Sequence, residues 1–206
     1  MSPARVIVAA FLLAFLVRVP EAPATVAEQR ARLPPPAECE SPIEGKWKAI
    51  VFSSDDFSWY EFILEVRHVP GDEARLTGMI YVDTWLGGPE QSEPGTCRGR
   101  RYKGKMEGSG SFVDGQVAFG GGAFQLVEIV CGDQYTSVGY NPDQFTGRVE
   151  PERQEFQSVN NDGGNAVNEP TVFRRIGCFD EEAVAQPTGS EAKPPPFFPA
   201  RKTSGC

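Results

Sequence analysis

Catalytic side chains are scarce in this sequence. A Ser-His-Asp or Cys-His device would have to use His68, the single histidine, and no Gly-x-Ser-x-Gly elbow presents a nucleophilic serine. Glu61 and Glu65 could supply the paired carboxylates of glycoside hydrolysis, but they alternate with apolar residues and are predicted to face solvent. His68 is predicted to lie on the surface or at a barrel rim. The sequence therefore predicts a protein that is not an enzyme.

The loop from Ser158 to Glu169 has oxygen-bearing side chains at the spacing of a calcium-binding loop. The pattern D-x-[DN]-x-[DN]-G-x5-E matches at four positions, with Ser158 in place of the leading aspartate: Asn160, Asp162, Gly163 and Glu169. Pro170 forbids a following helix. The alternative is a long Asn/Gly hairpin loop whose side chains bond their own backbone. The sequence leaves both interpretations open.

Aromatic side chains offer a second kind of site, because exposed rings at a barrel mouth can stack on a sugar or an apolar ligand. Trp59, Tyr81, Trp85 and Tyr140 lie on the face opposite the apolar set or near predicted loops. Trp47 follows a glycine at the start of the first predicted strand, where a large indole can close one end of a small barrel. The alternative is that these rings only cover the core.

Alternating apolar and polar residues predict the strands that position these groups. In Gly45–Ser53, Trp47, Ala49 and Val51 point one way and the lysines the other. Similar segments recur about every ten residues with turn signals between them, and no segment has a convincing helical period. The fold is predicted to be all-β, an antiparallel meander β-barrel of about eight strands.

Composition divides the chain into four parts. Residues 1–24 resemble an export signal, with Arg5, an apolar run from Val6 to Val17 and small residues at a cleavage site; an uncleaved anchor is the alternative. Residues 25–38 are polar and end in three prolines, which predicts a linker unable to bury itself. The barrel is assigned to residues 39–178, and residues 179–206 are predicted to be a Pro-rich disordered tail.

The excess of acidic residues limits the kinds of partner that the protein is expected to bind. The net charge is −8 and the pI is about 4.8, so the surface repels phosphate backbones and anionic lipid heads. No phosphate-cradling or zinc-finger spacing is present, and no cofactor is predicted. We therefore expect a secreted or periplasmic protein that binds neither nucleic acid nor, after signal cleavage, a membrane.

Two short segments resemble the opening of the avidin and lipocalin barrels, the calycin group. They are Gly45-Lys46-Trp47 and Leu76-Thr77-Gly78-Met79-Ile80-Tyr81, and Phe145–Val149 repeats the second pattern. Arg174 and Arg175 fall on the last strand, where lipocalin-like barrels place an arginine over the strand-one tryptophan. The resemblance implies a closed barrel. It does not imply biotin binding, because Ala49 and Ile80 stand where avidins use polar residues.

The five cysteines suit an oxidising compartment. In a closed barrel with an even number of antiparallel strands, the first and last strands are neighbours. Cys39, before strand one, and Cys178, at the end of the last strand, should then lie at the same end. We predict Cys39–Cys178 and Cys97–Cys131, although spacing alone leaves the other pairings open. Cys206 is left over and could remain free or link two chains into a disulfide-bonded dimer.

The function predicted from sequence is an exported, non-catalytic binding protein for a small apolar or sugar-like ligand. Its ligand contacts are predicted at the barrel mouth, from Trp47, Trp59, Ile80 and Trp85. This hypothesis requires a hollow interior. The alternative is an extracellular protein-interaction or surface-structural module without an internal ligand, using an outer face and the Pro-rich tail.

Overall fold

The computed structural model describes residues 25–97, 99–132, 139–164 and 167–179. The predicted signal peptide and all of the predicted tail after Phe179 lie outside these residues. The elements are one α-helix, nine strands and a 3-10 helix at Pro151–Arg153. In chain order they are α1 (Val26–Arg32), β1 (Gly45–Ser53), β2 (Ser58–Val69), β3 (Asp72–Leu86), β4 (Arg101–Val113), β5 (Gln116–Gly121), β6 (Gln125–Cys131), β7 (Gln144–Glu150), β8 (Glu155–Asn161) and β9 (Val167–Gly177).

Eight strands form a closed antiparallel barrel, which confirms the predicted fold class. Each of the strands β1 to β4 pairs with the next strand in the chain. β5 then pairs with β7, and β7, β8 and β9 follow in order. β9 then returns to β1, with Arg175 opposite Trp47. The first and last strands therefore meet beside the strand-one indole, as the alternating pattern and the cysteine positions predict.

β6 is an additional strand on the barrel. Its partner is β4, whose first half, Arg101–Lys105, pairs with β6 while its second half, from Gly108 to Val113, pairs with β5. β6 lies at the edge of the sheet, and Leu126 and Val127 are exposed. This position explains why its sequence shows no clear inward and outward face.

The barrel has one open and one closed end. At the open end, β1 finishes at Ser53 and β2 begins at Ser58; at the closed end, β1 begins at Gly45. Between them, inward side chains fill the interior with aromatic rings in contact. The buried core comprises Ile43, Trp47, Ala49, Phe62, Leu64, Val66, Leu76, Ile80, Val82, Met106, Val117, Phe119, Phe145, Val149, Phe156 and Phe173.

The closed end is sealed by Trp47 and Arg175. The Arg175 guanidinium carbon lies 4.4 Å from the centre of the indole, a cation–π contact, and the side chain is 1% exposed. Its two terminal nitrogens donate to the carbonyls of Ser41 and Pro42, at 2.7 and 2.6 Å. The Trp47 indole N–H donates to the carbonyl of Ile43 at 2.8 Å. Of the arginine pair Arg174-Arg175, Arg175 therefore makes the contact that the resemblance to lipocalin-like barrels implies.

Residues 25–38 differ from the predicted linker, because they contain α1 and pack on the barrel. Thr25 and Glu28 form a reciprocal capping box at the start of the helix. Gln29 is buried: its amide donates to the carbonyl of Pro170 at 2.6 Å and accepts from the N–H of Val172 at 2.8 Å. β1 and β9 pair only over Lys46–Lys48 in the described chain. The Gln29 amide therefore forms hydrogen bonds with backbone groups of β9 that lie beyond the segment of β9 paired with β1.

The outer face under α1 forms a second, smaller apolar cluster. It contains Leu33, Ile50, Trp59, Trp85 and Val172. Beside it, Glu155 accepts hydrogen bonds from Arg30 and Arg174 at 2.7 and 2.6 Å. None of the helices in the described part of the chain has the length and apolar character of a bilayer-spanning segment.

Both predicted disulfides are present. Cys39 is bonded to Cys178 at the closed end, and Cys97 is bonded to Cys131, each with its Cα atoms 5.6 Å apart. The first bond ties the segment before β1 to the end of β9, and the second ties the β3–β4 loop to the end of β6. Cys206 lies outside the described residues.

Candidate functional site

The structure does not bring the four predicted ligand-binding residues together. Trp47 is fully buried in the closed end, and Ile80 is fully buried in the interior core. Trp59 and Trp85 lie on the outer face, stacked with their centres 6.4 Å apart. None of these four lines the cavity at the open end.

Trp59 and Trp85 are covered by other parts of the chain. Their indole N–H groups donate to the carbonyls of Gly88 and Gln91, at 2.8 and 3.1 Å. The guanidinium of Arg32 lies 4.8 Å from the centre of the Trp59 ring. Both indoles therefore attach α1 and the loop after β3 to the barrel. The alternation that places Glu61 outside also places Trp59 outside, two residues earlier.

Within the described residues, the barrel interior has a cavity of about 330 Å³ at the open end, above the packed core. Its residues come from the ends of strands and from the segment before β7. They are Val51, Ser53, Asp56, Tyr60, Phe62, Arg100, Tyr102, Gly139, Tyr140, Asn141, Asp143, Asp162 and Glu169. This is the candidate site, and we refer to it as the open-end cavity.

Aromatic rings form much of its surface. Phe124 stacks on Tyr140 with ring centres 4.5 Å apart and meets Tyr102 edge to face at 6.3 Å. On the other side, Tyr60 stacks on Phe62 at 6.1 Å. Three tyrosine hydroxyls and several ring faces therefore surround one small volume. Burial raises the pKa of Tyr60, Tyr102 and Tyr140, so these hydroxyls remain protonated donors at neutral pH.

Asp143 is the most buried carboxylate of the cavity, with 3% of the residue exposed. It accepts hydrogen bonds from the Tyr140 hydroxyl and from the Asn160 amide, both at 2.7 Å. Its carbonyl accepts from the N–H of Gly121 at 2.9 Å, which fixes the segment before β7. Burial raises the pKa of Asp143 to about 6, although these two hydrogen bonds act in the opposite direction.

Three more carboxylates line the cavity: Asp56, Asp162 and Glu169. Asp56 Oδ2 accepts from the Tyr60 hydroxyl at 2.7 Å, while its Oδ1 is buried without a hydrogen-bond partner. Burial raises the pKa of Glu169, and the charges of Asp55, Asp162 and Asp56 raise it further. Arg100 is the single cationic side chain among the lining residues, and its guanidinium lies 5.6 Å from the Tyr102 ring centre. The cavity is therefore both aromatic and acidic.

The Ser158–Glu169 segment is a β8–β9 hairpin. The Ser158 hydroxyl donates to the carbonyl of Thr171 at 2.9 Å, and the Asn160 amide donates to Asp143. At the tip, Asn161 and Asp162 side chains accept from the backbone N–H groups of Gly163 and Gly164. Residues 165–166 lie outside the description. Within the described ranges, no three His, Cys, Asp or Glu side chains are grouped closely enough to hold a metal ion.

The other candidate catalytic residues lie away from the cavity. His68 is near the closed end, its ring 6.4 Å from that of Phe112, and its backbone N–H donates to Glu44. Glu61 and Glu65 form ion pairs with Lys48 and Lys46 on the outer face, at 2.8 and 2.9 Å. The sequence prediction that these two carboxylates face outward is confirmed.

Sequence reasoning named Tyr140 only as one of several aromatics near loops, and it did not identify Asp143, because nothing in the local sequence marks the residue after Pro142 as buried. Tyr60 and Tyr102 have a detectable signal. Each is an inward residue with a polar tip close to the open-end terminus of its strand, and such residues should line the mouth of a barrel. Comparisons with protein-family models, with curated proteins and with solved structures found no match to this chain.

Proposed function

We propose that this chain is an exported, non-catalytic binding protein that takes a small ligand into the open-end cavity. The observation that carries the proposal is the cavity of about 330 Å³ bordered by tyrosine rings, hydroxyls and carboxylates above a packed core. Small-molecule sites are typically concave, with volumes of about 300–1,000 Å³ and a few polar groups that orient the ligand. The cavity is at the small end of that range.

The packed core limits the ligand. Side chains fill the interior below the open end, so the hollow barrel that the sequence-based hypothesis required is absent there. Phe62, Phe145 and Phe173 contact one another directly below the cavity, with ring centres 4.8 to 6.4 Å apart. A long apolar ligand that needs a hollow barrel would have to displace these rings. The open end instead offers flat ring faces with hydrogen-bonding groups around them, which favours a small ligand that has both a flat face and a polar group.

Three observations support the remaining parts of the proposal. The two disulfides are consistent with an oxidising compartment outside the cytoplasm. The Trp47–Arg175 contact at the closed end supports a calycin-like barrel. Among the described residues that line the cavity there is no cysteine or lysine, which argues against nucleophilic catalysis by a thiolate or an amine.

The test is a titration of the ¹⁵N-labelled full chain with three small aromatic probes, followed by chemical shifts. The probes are 2-phenylethylamine, 2-phenylethanol and 3-phenylpropionate, which differ mainly in charge. We expect at least one probe to shift resonances of residues that line the cavity. Val51→Trp, which fills the cavity, should abolish that response, and Val113→Trp on the exposed turn at the closed end should preserve it. If no probe shifts cavity resonances, the proposed function is wrong.

A second candidate, a protein-interaction module, is favoured by the exposed outer face beside β6. Val127 is 59% exposed, and together with Tyr81 and Ile63 it lines an outer groove of about 440 Å³. Within the described chain β6 pairs only with β4, so its second edge could accept a strand from a second copy. Sedimentation velocity tests this: dimerisation weakened by Val127→Lys supports it, and a chain that stays monomeric contradicts it.

A further inference from the structure

We propose that the open-end cavity selects a small organic cation, a protonated amine attached to a flat apolar group. This inference rests on the proposed function and specifies its ligand class. It follows from three properties of the cavity: its charge balance, the surroundings of its deepest carboxylate, and the ring faces beside that carboxylate.

The charge balance favours a cation. The cavity is lined by four carboxylates and by one guanidinium. The low dielectric of a partly buried site strengthens the attraction of these carboxylates for a positive group and their repulsion of an anion. An anionic ligand of the same size is therefore strongly disfavoured.

Asp143 supplies the deepest of these charges. Its hydrogen-bond partners, the Tyr140 hydroxyl and the Asn160 amide, are neutral donors. Since burial raises its pKa to about 6, the carboxylate is mostly ionised at pH 7.4 but at an energetic cost. A bound ammonium group would offset that cost by pairing with the charge.

Asp56 adds a second carboxylate beside the tyrosine rings. Its Oδ2 accepts from the hydroxyl of Tyr60, which also borders the cavity.

The ring faces complete the arrangement. Tyr60, Tyr102 and Tyr140 all border the cavity, and the electron-rich faces of such rings attract cations at distances up to about 6 Å. The flat group of the ligand can stack on the same rings. A primary amine carried two carbons from a benzene ring has the size and charge that this cavity fits.

Isothermal titration of the full chain at pH 7.4 tests the inference with the same three probes. We expect 2-phenylethylamine to bind about tenfold or more tightly than 2-phenylethanol, because only the amine pairs with a carboxylate. 3-Phenylpropionate should bind more weakly than either. Raising the salt concentration should weaken binding of the amine and leave that of the alcohol unchanged.

Variants locate the charge that is responsible. Asp143→Asn should weaken binding of the amine about tenfold or more and leave binding of the alcohol nearly unchanged. Glu169→Gln, on the half-buried rim, should weaken binding of the amine by a smaller factor. This variant keeps the test decisive if Asp143→Asn unfolds. The matched control is Asp114→Asn, on the exposed turn between β4 and β5.

The outcomes separate the two proposals. If the amine and the alcohol bind equally, or the anion binds best, the cavity binds ligands but does not select cations, and the inference is wrong. If no probe binds, the proposed function fails as well. If Ca²⁺ binds and displaces the amine, the carboxylates form a metal site, and the inference of an organic cation is overturned.

Discussion

Asp143 and Asn160 are joined across the open end of the barrel, where the Asn160 amide donates to the Asp143 carboxylate at 2.7 Å. The same asparagine accepts through its Oδ1 from the N–H of Gln144 at 3.2 Å. Asn160 thus links β8 to the start of β7 and holds the carboxylate in place. The closed barrel therefore sets both the burial and the hydrogen bonds that determine the pKa of Asp143.

The burial of Asp143 predicts a pH dependence of stability, because burial raises its pKa. Asp143 has a pKa of about 6 in the folded chain against an ordinary value of 3.8. Because the folded state holds the proton more tightly, this contribution to stability is fully present below pH 4 and is lost as pH rises through 6. A shift of this size corresponds to about 3 kcal/mol in the free energy of unfolding.

Denaturant unfolding of wild type and Asp143→Asn at several pH values between 4 and 7 measures this contribution. The wild type should lose stability relative to the variant as pH rises. Subtracting the stability of the variant from that of the wild type cancels the contributions of titratable groups that both proteins share. One such group is Glu155. Burial alone would raise its pKa, but Arg174 and Arg30 hold that pKa below its ordinary value. Asp114→Asn serves as the control. Parallel curves for wild type and Asp143→Asn would contradict the prediction.

Gln29 is predicted to stabilise the barrel from outside. Gln29→Ala leaves the N–H of Val172 and the carbonyl of Pro170 without their partner. We expect the free energy of unfolding to fall by about 1–3 kcal/mol, the usual cost of an unsatisfied buried group. Ala31→Gln, on the exposed side of the helix, should change it little. Equal stability of the two variants would show that the Gln29 hydrogen bonds do not stabilise the barrel.

The contrast between α1 and the barrel shows what the sequence can predict. Strand alternation is a local signal, and around Trp47 and Phe62 it predicts the inward faces correctly because each barrel strand has one buried side. α1 has seven residues and mostly polar side chains, so it has no comparable pattern. Its position depends on contacts with distant strands, such as that of the Gln29 amide with β9 more than 130 residues later in the chain, and no local pattern can indicate them.

The candidate site was less predictable than the fold for a related reason. The sequence marks Trp59 and Trp85 as large aromatics near turns, but it does not show that α1 and the β3–β4 loop cover them. Asp143 becomes a deep carboxylate only because Tyr140 and Asn160 meet it in the closed barrel. Sites that depend on contacts between distant segments require the structure.

Arg175 is predicted to be essential to the closed end. Arg175→Met removes the cation–π contact with Trp47 and leaves the carbonyls of Ser41 and Pro42 without donors. We expect a loss of about 2–4 kcal/mol in the free energy of unfolding. Arg175→Lys should recover only part of it, since an ammonium cannot reach two carbonyls and stack at once. Arg75→Met, at an exposed position, is the surface control.

The two disulfides are predicted to contribute unequally. Cys39–Cys178 spans 139 residues and Cys97–Cys131 spans 34. In the chain-entropy model the longer loop restricts the unfolded state more, by about 1 kcal/mol. Scanning calorimetry of Cys39→Ser/Cys178→Ser and Cys97→Ser/Cys131→Ser should therefore show the larger drop in melting temperature for the first pair. The reverse order would indicate that strain or residual structure outweighs loop length.

Gly104 is predicted to shape the open-end cavity without lining it. A Cβ at this position would lie 2.0 Å from the Phe124 ring, which stacks on Tyr140. Gly104→Ala must therefore displace Phe124, and with it the ring that donates to Asp143. We expect a loss of about 1–3 kcal/mol in stability, typical of overpacking, and a changed near-ultraviolet circular dichroism from the displaced rings.

The matched control for Gly104→Ala is Gly122→Ala, whose Cβ would meet the carbonyl of Glu107 at an ordinary 3.5 Å. Titration with 2-phenylethylamine should show weaker binding for Gly104→Ala and unchanged binding for Gly122→Ala. We expect this difference in binding because the position of Tyr140 depends on the absence of a side chain at residue 104. If Gly104→Ala loses stability but binds the amine as wild type does, then Phe124 has moved without Tyr140, and the stacked pair does not set the geometry of the cavity.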